Sequence, residues 1–223
     1  MFARLLATCL MASCALGTFS TAAVAQSGDW PNRPIRFIVP FPPGGPTDTY
    51  ARAIAGPLGE ALNQSVVVEN RGGAGGTIGT AAVAMAAPDG YTMGFGSGGS
   101  LMVIPHLMSV PYSVKDDFVF VSSLAQVPAV LAVNVKSGIT SMADFMERAK
   151  RNPGKLNYAS AGNGTMVHLA GERIKRATGM DIVHVPYAGA APAITDSASG
   201  VSSTRSGPNF SISPFVVVKT PPL

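Results

Sequence analysis

Downstream of residue 33, short apolar runs alternate with longer segments whose apolar positions recur at helical spacing. Ile35–Val39 is a brief, mainly apolar run closed by Pro40, the pattern of a buried parallel strand. From Thr47 to Leu62 the apolar positions Ala51, Ile54, Leu58 and Ala61/Leu62 form one stripe, which predicts a helix laid against a sheet. Gly56, Pro57 and Gly59 weaken that helix and predict a bend near Pro57, and Asn63 is suited to end it in the left-handed region. Val66–Val68 reads as a second strand, 77–86 as a small-residue helix, and Tyr91–Phe95 as a third strand after the Pro88-Asp89-Gly90 turn. Strand and helix alternating at this spacing imply a twisted parallel sheet with right-handed crossovers.

The middle of the chain breaks this rhythm. Phe118–Leu124 and Ala129–Val135 are apolar stretches separated only by Ala125-Gln126-Val127-Pro128, as expected for a passage from one lobe to another. Alternation then resumes. Ser141 followed by Asp144 resembles a capping box and opens a helix to about Arg151. Leu156–Ser160 is a strand. Thr165–Thr178 is a helix with Met166, Leu169, Ala170, Ile174 and Ala177 on one face, ended by Gly179, and Ile182–Val185 is the next strand. Beyond Ser197 no period is legible, which reads either as a flexible extension or as a shifted frame.

Residues 1–25 differ from everything that follows. Arg4 precedes an apolar, small-residue run from Leu5 to Phe19, and Ala23-Val24-Ala25 gives the small-x-small pattern of a signal-peptidase site. The expectation is an export signal cleaved after Ala25 and a periplasmic product; a lipid anchor on Cys14 is the alternative. Both cysteines, Cys9 and Cys14, lie in this leader, so the processed chain would have no disulfide, thiol nucleophile or thiolate metal site. The formal charge of +4 without a basic run, and an aromatic content of 7%, exclude a nucleic-acid footprint.

The candidate chemistry lies in turns that leave strands and enter helices. In Phe41-Pro42-Pro43-Gly44-Gly45-Pro46-Thr47-Asp48, two glycines permit close backbone approach to a ligand, and the following helix aims unpaired amides and its positive dipole end at the same place. That is either an anion site or a tight turn in which Thr47 or Asp48 merely caps the helix. Ser160-Ala161-Gly162-Asn163-Gly164-Thr165 repeats the arrangement in the second half. Two such turns facing one another could hold a carboxylate without a charged side chain. A third, Gly72–Gly76, departs from the dinucleotide fingerprint because Ile78 stands where Gly or Ala is required. Ser97-Gly98-Gly99-Ser100 offers hydroxyl donors or is a plain loop.

Catalytic patterns are poor. No serine sits in a Gly-x-Ser-x-Gly elbow, and no Gly-Lys-Ser/Thr follows a glycine loop. His168 and Glu172 share a helix face, but no third metal ligand is placed by spacing. Neither a cofactor nor a metal is expected.

The order Trp30-Pro31-x-x-Pro34-Ile35, Phe41-Pro42-Pro43-Gly44-Gly45-x-x-Asp48 and Val67-Val68-Glu69-Asn70-Arg71-x-Gly73-Ala74-Gly75-Gly76 resembles the Bug-type receptors, the extracytoplasmic solute-binding components of tripartite tricarboxylate transporters. The likeness continues through Asp89-Gly90-Tyr91, Asn152-Pro153-Gly154-Lys155-Leu156, Tyr158-Ala159-Ser160, His168-Leu169-Ala170 and Val185-Pro186-Tyr187, to about Asp196. It implies an α/β fold of periplasmic-binding-protein type II, with a first lobe over 26–125 and a partial second lobe over 126–196, followed by an aberrant or disordered tail over 197–223. It also implies a monomeric, non-enzymatic receptor for a small carboxylate that works with membrane transporter subunits. The implied ligand-binding residues are Phe41, Pro43, Gly44, Gly45, Thr47, Asp48, Ser97, Ser100, Ser160, Gly162, Gly164, Thr165 and His168. A periplasmic sensor, or an enzyme on the same fold, are the competing classes. Such receptors run on well past this length, so a truncated or frameshifted, poorly folding copy is the expectation.

Overall fold

Ile35–Val39 forms β1, the central strand of a three-stranded sheet in the order β2-β1-β3, with β2 at Val66–Asn70 and β3 at Thr92–Gly94. The computed structural model of the chain describes residues 30–125 and 129–199, and the backbone of the strand at 209–214. Contacts divide the chain into Met1–Asn32 and Arg33–Leu223, and every element named below belongs to the second unit. The expected export signal lies outside the described residues.

Both pairings of β1 are parallel, with Ile35 opposite Val66 and Arg36 opposite Thr92. Flanked on both sides, β1 is buried except at Arg36, which pairs with Glu69 of β2 at 2.7 Å. Helix α1, Pro46–Leu62, packs its Ala51 against Phe37 and Val39. It runs unbroken through Pro57, where a bend was expected. Gly56 and Pro57 face solvent, so water can replace the amide that proline removes. Asn63 ends the helix at φ 51°, as its left-handed tolerance predicts. Helix α2 spans Thr77–Ala84, and a short α3, Ile104–Leu107, follows a π-turn at Gly99–Val103.

The second sheet has the order β4-β7-β5-β6, with β4 at Ala129–Val133, β5 at Leu156–Ser160, β6 at Ile182–Pro186 and β7 at Asn209–Pro214. β5 pairs in parallel with β6 and β7, whereas β4 and β7 are antiparallel. A strand inside the segment read as patternless was not expected. Its Asn-Phe-Ser-Ile-Ser-Pro sequence alternates apolar and polar residues too briefly to stand out. Helix α6, Ala190–Ser199, likewise runs past Asp196.

Helix α4, Met142–Arg151, is capped by Ser141, whose hydroxyl accepts the Asp144 amide at 3.1 Å. Helix α5, Met166–Thr178, corrects the expected stripe. Val167 and Gly171 are buried with Ile174 packed beside them, while Met166 and Ala177 are exposed. A Cβ on Gly171 would stand 2.3 Å from the Tyr158 ring, so the helix seats on β5 through a residue that carries no hydrophobic signal.

Residues 118–124 join no strand, and Val119 and Val121 are 92% and 89% exposed. Adjacent exposed apolar side chains attract apolar partners. Replacing both valines by Lys is therefore expected to lower ANS fluorescence of the purified chain about twofold. The thermal midpoint should stay within roughly 2 °C, because neither side chain contributes to a core.

Candidate functional site

Five turns follow the C-terminal ends of parallel strands, where ligands bind in open α/β sheets. They are 40–45 after β1, 71–76 after β2, 95–100 after β3, 161–165 after β5 and 187–189 after β6. Glycine lets them meet. A Cβ on Gly75 would stand 2.5 Å from the Asn163 carbonyl oxygen, and one on Gly162 would stand 3.3 Å from both Gly75 Cα and the Tyr187 carbonyl oxygen. Pro42 lies within 2.7 Å of the Cβ position of both Gly72 and Gly189. A Cβ on Gly99 would stand 3.0 Å from the Thr165 Cα. The two turns singled out as anion sites are thus gathered with three others into one cluster.

The first turn is shaped by a buried carboxylate. Asp48, 4% exposed, accepts the Gly44 amide at 2.9 Å, the Arg52 Nε at 3.0 Å and the Asn70 Nδ2 at 2.9 Å. The Asn70 amide also donates to the Phe41 carbonyl, and Arg52 donates to Asn70 Oδ1. Burial alone would raise the Asp48 pKa. The hydrogen bonds from Arg52, Gly44 and Asn70 outweigh it and hold the carboxyl below its ordinary value. Asp48 therefore holds the turn rather than projecting from it. Gly45 at the N-cap has no side chain to cap α1, and Pro46 follows it, so the dipole end is left to backbone groups.

The second turn is built differently. Thr165 caps α5 by accepting the His168 amide at 3.4 Å and donates to the Gly162 carbonyl at 2.7 Å. Ser160, fully buried, lies 2.6 Å from His184 Nε2 and accepts the Gly162 amide at 3.2 Å. The Gly164 amide donates to His168 Nδ1 at 3.2 Å. The rings of His168 and His184 stack at 4.1 Å, and Tyr158 stacks on His184 at 4.8 Å. Burial, the neighbouring His168 and Lys175 push His184 down to about 4, against the opposing pull of Glu172. Glu172 accepts from the Tyr158 hydroxyl and Lys175, so with His168 engaged on Gly164 the pair does not form a metal edge. Among the described residues no group of three His, Cys, Asp or Glu could hold a metal.

The candidate residues separate accordingly. Phe41, Pro43, Gly44, Gly45 and Thr47 line the start of α1, with Pro43 and Gly44 exposed. Gly162, Gly164 and Thr165 lie in the second turn, and Ser160 and His168 lie beneath it. Ser100 is a core residue: it is 0% exposed, its hydroxyl accepts from Thr80 and lies 2.9 Å from the Ser97 hydroxyl, and its carbonyl accepts from Tyr112. Its presumed donation to a ligand is replaced by these internal bonds. Arg52, Asn70, Ile104 and His184 were not anticipated. The i, i+4 spacing of Asp48 and Arg52 is a readable signal, whereas Ile104, which meets the Cβ positions of Gly75 at 2.7 Å and Gly164 at 2.4 Å, offers none.

Comparison with known proteins bears on this arrangement. The family model described as the tripartite tricarboxylate transporter family receptor matches residues 50–217. The chain belongs to that receptor family. The match extends past Asp196, where the resemblance had been read as ending. Protein BugT of Bordetella pertussis is 41% identical over 188 residues, covering 83% of this chain and 58% of BugT. A structure of an R. palustris protein with adipate is 36% identical with a TM-score of 0.77, covering 83% of this chain and 60% of that one. MatC from Rhodopseudomonas palustris with bound malate is 32% identical with a TM-score of 0.68, covering 75% of this chain and 57% of MatC. This chain shares the fold of both, and also of the periplasmic binding protein BugD, 36% identical with a TM-score of 0.68. It spans a little over half the length of the curated relatives it matches.

Two outcomes follow from the packing. Gly164→Ala adds a methyl group at φ 73° against Ile104 and is expected to cost about 1–3 kcal/mol in a denaturant melt. In an Ile104→Ala background the same glycine change should cost less than in the native chain, because the methyl then meets an emptied space. For His184 the unfolded chain takes up its proton near the ordinary 6.5 and the folded chain only near 4. The native state should thus lose up to about 3 kcal/mol as pH falls through that window, a slope that His184→Gln flattens.

Proposed function

We propose that this chain acts as an extracytoplasmic solute-binding receptor that captures a small carboxylate and presents it to membrane subunits of a tripartite tricarboxylate-type transporter. On this reading the first sheet lies in a lobe over residues 26–125 and β4, β5 and β6 in a lobe over 126–196, to whose sheet β7 adds a strand from beyond that range. The exported chain works as a monomer in the periplasm after loss of residues 1–25. No catalysis is involved. The observation that carries the reading is the gathering of glycine turns from both sheets at their C-terminal strand ends. Family membership and the adipate- and malate-bound neighbours favour a carboxylate.

The chemistry needed is modest. A carboxylate placed at the start of α1 would meet bare first-turn amides and the positive dipole end. The Asp48–Arg52–Asn70 network fixes that turn before a ligand arrives, so little ordering entropy remains to be lost. Neutral donors suit ligands of varied shape, because they fix the anionic head and leave the rest of the molecule to other contacts.

Calorimetric titration of the chain with adipate, malate and uncharged 1,6-hexanediol tests this. Saturable binding of at least one dicarboxylate with a Kd in the micromolar to millimolar range is expected, roughly −8 to −4 kcal/mol, and none of the diol. Asp48→Ala should weaken binding about tenfold by loosening the turn, although Asp48 itself touches no ligand. Absence of saturable heat with every carboxylate tried would overturn the proposal.

A further inference from the structure

We infer that neutral His168 is a latch beneath the 160–165 turn: its Nδ1 lone pair holds the Gly164 amide, so protonation releases the turn and weakens carboxylate binding. The inference rests on the reading of that turn as half of the ligand site.

An imidazole that accepts an amide proton at Nδ1 must be neutral and carry its own proton on Nε2. Adding a proton at Nδ1 places two donors face to face where one bond stood at 3.2 Å. His184 cannot relieve this, since its ring is stacked on His168 at 4.1 Å and a second charge there would add repulsion. The two histidines are not equivalent. If His184 is protonated, its Nε2 donates to Ser160, whose hydroxyl can turn to the Gly162 carbonyl at 3.2 Å. That part of the turn keeps its bonds in either state, so His168 is the sensitive member.

The surroundings keep the latch closed at neutral pH. Burial lowers the His168 pKa below its ordinary value, Glu172 on the same helix opposes that shift, and Lys175 reinforces it. Tyr158 from β5 and His184 from β6 face the pair, and Glu172 is held by both Tyr158 and Lys175. β7, packed against α5, has no titratable residue in its sequence. An imidazolium would also attract an anion. It would lie under the turn rather than among its amides, so loss of the turn's order outweighs that attraction.

The test combines amide NMR with ligand titration from about pH 7.5 to about pH 5. In the ligand-free chain the Gly164 amide resonance should move in step with the His168 ring resonances. Adipate affinity of the native chain should fall about tenfold more than that of His168→Gln, whose amide oxygen can accept the Gly164 proton without titrating. Comparing the two removes the titration of adipate itself. A Gly164 resonance that ignores His168 overturns the latch. A Gly164 resonance that follows His168 while affinity falls equally in both chains, or rises in the native one, overturns its control of binding. Coupled resonances with binding of neither adipate nor malate at any pH support the latch and sink the receptor reading instead.

Discussion

Gly75 approaches Asn163 so closely that a single methyl group on it would stand 2.5 Å from a carbonyl oxygen, inside the contact distance of any side-chain carbon. This backbone-to-backbone contact joins a turn that follows the first sheet to one that follows the second. Gly162 against Gly75 and Tyr187, and Gly99 against Thr165, repeat it from other directions. Wherever turns leave parallel strands at this spacing, a Cβ would hold them apart, and the amides at the helix starts could not be brought to one place. The glycines are therefore a geometric requirement of convergence before they are a requirement of ligand approach. Ile104 fills the space between Gly75 and Gly164, so the cluster is both close-packed and sensitive to volume.

The two candidate turns are held by opposite means. The first is held by a charge: Asp48 is ionised and buried, and each of its partners is a donor. The second is held by neutral groups, with Thr165, Ser160 and the His168 ring, whose Nδ1 accepts an amide only while unprotonated. A buried carboxylate with Arg52 beside it keeps its charge across the physiological range. Burial holds the two stacked imidazoles in the neutral form at neutral pH.

Much of this was legible in the chain itself. The strands at Ile35–Val39 and Leu156–Ser160, the cap at Ser141, and the left-handed stops at Asn63 and Gly179 are local features, and local spacing found them. The buried face of α5 was not legible, because its contact with Tyr158 is made by Gly171, and periodicity counts side chains that glycine lacks. The strand at Asn209–Pro214 depends on pairing with β4 and β5, a nonlocal gain that a short, weakly alternating segment does not advertise. In the site, both glycine turns could be seen from sequence. The roles of Ser100 and His184 could not, since each is fixed by partners distant in sequence: Thr80 for one, the Tyr158–His184 register for the other.

A receptor whose anion contacts come from backbone must hold bare amides in place without a charged side chain among them. Left alone, such turns would relax toward water or pair with one another. The structure opposes both outcomes from below, by giving selected amides internal acceptors: Gly44 to Asp48, Gly162 to Ser160, Gly164 to His168. Each anchored glycine fixes the direction of the amides next to it, so rigidity comes from part of the set while the remainder stays open. This division accounts for the polar side chains buried beneath the turns, Asp48 and Ser160 among them.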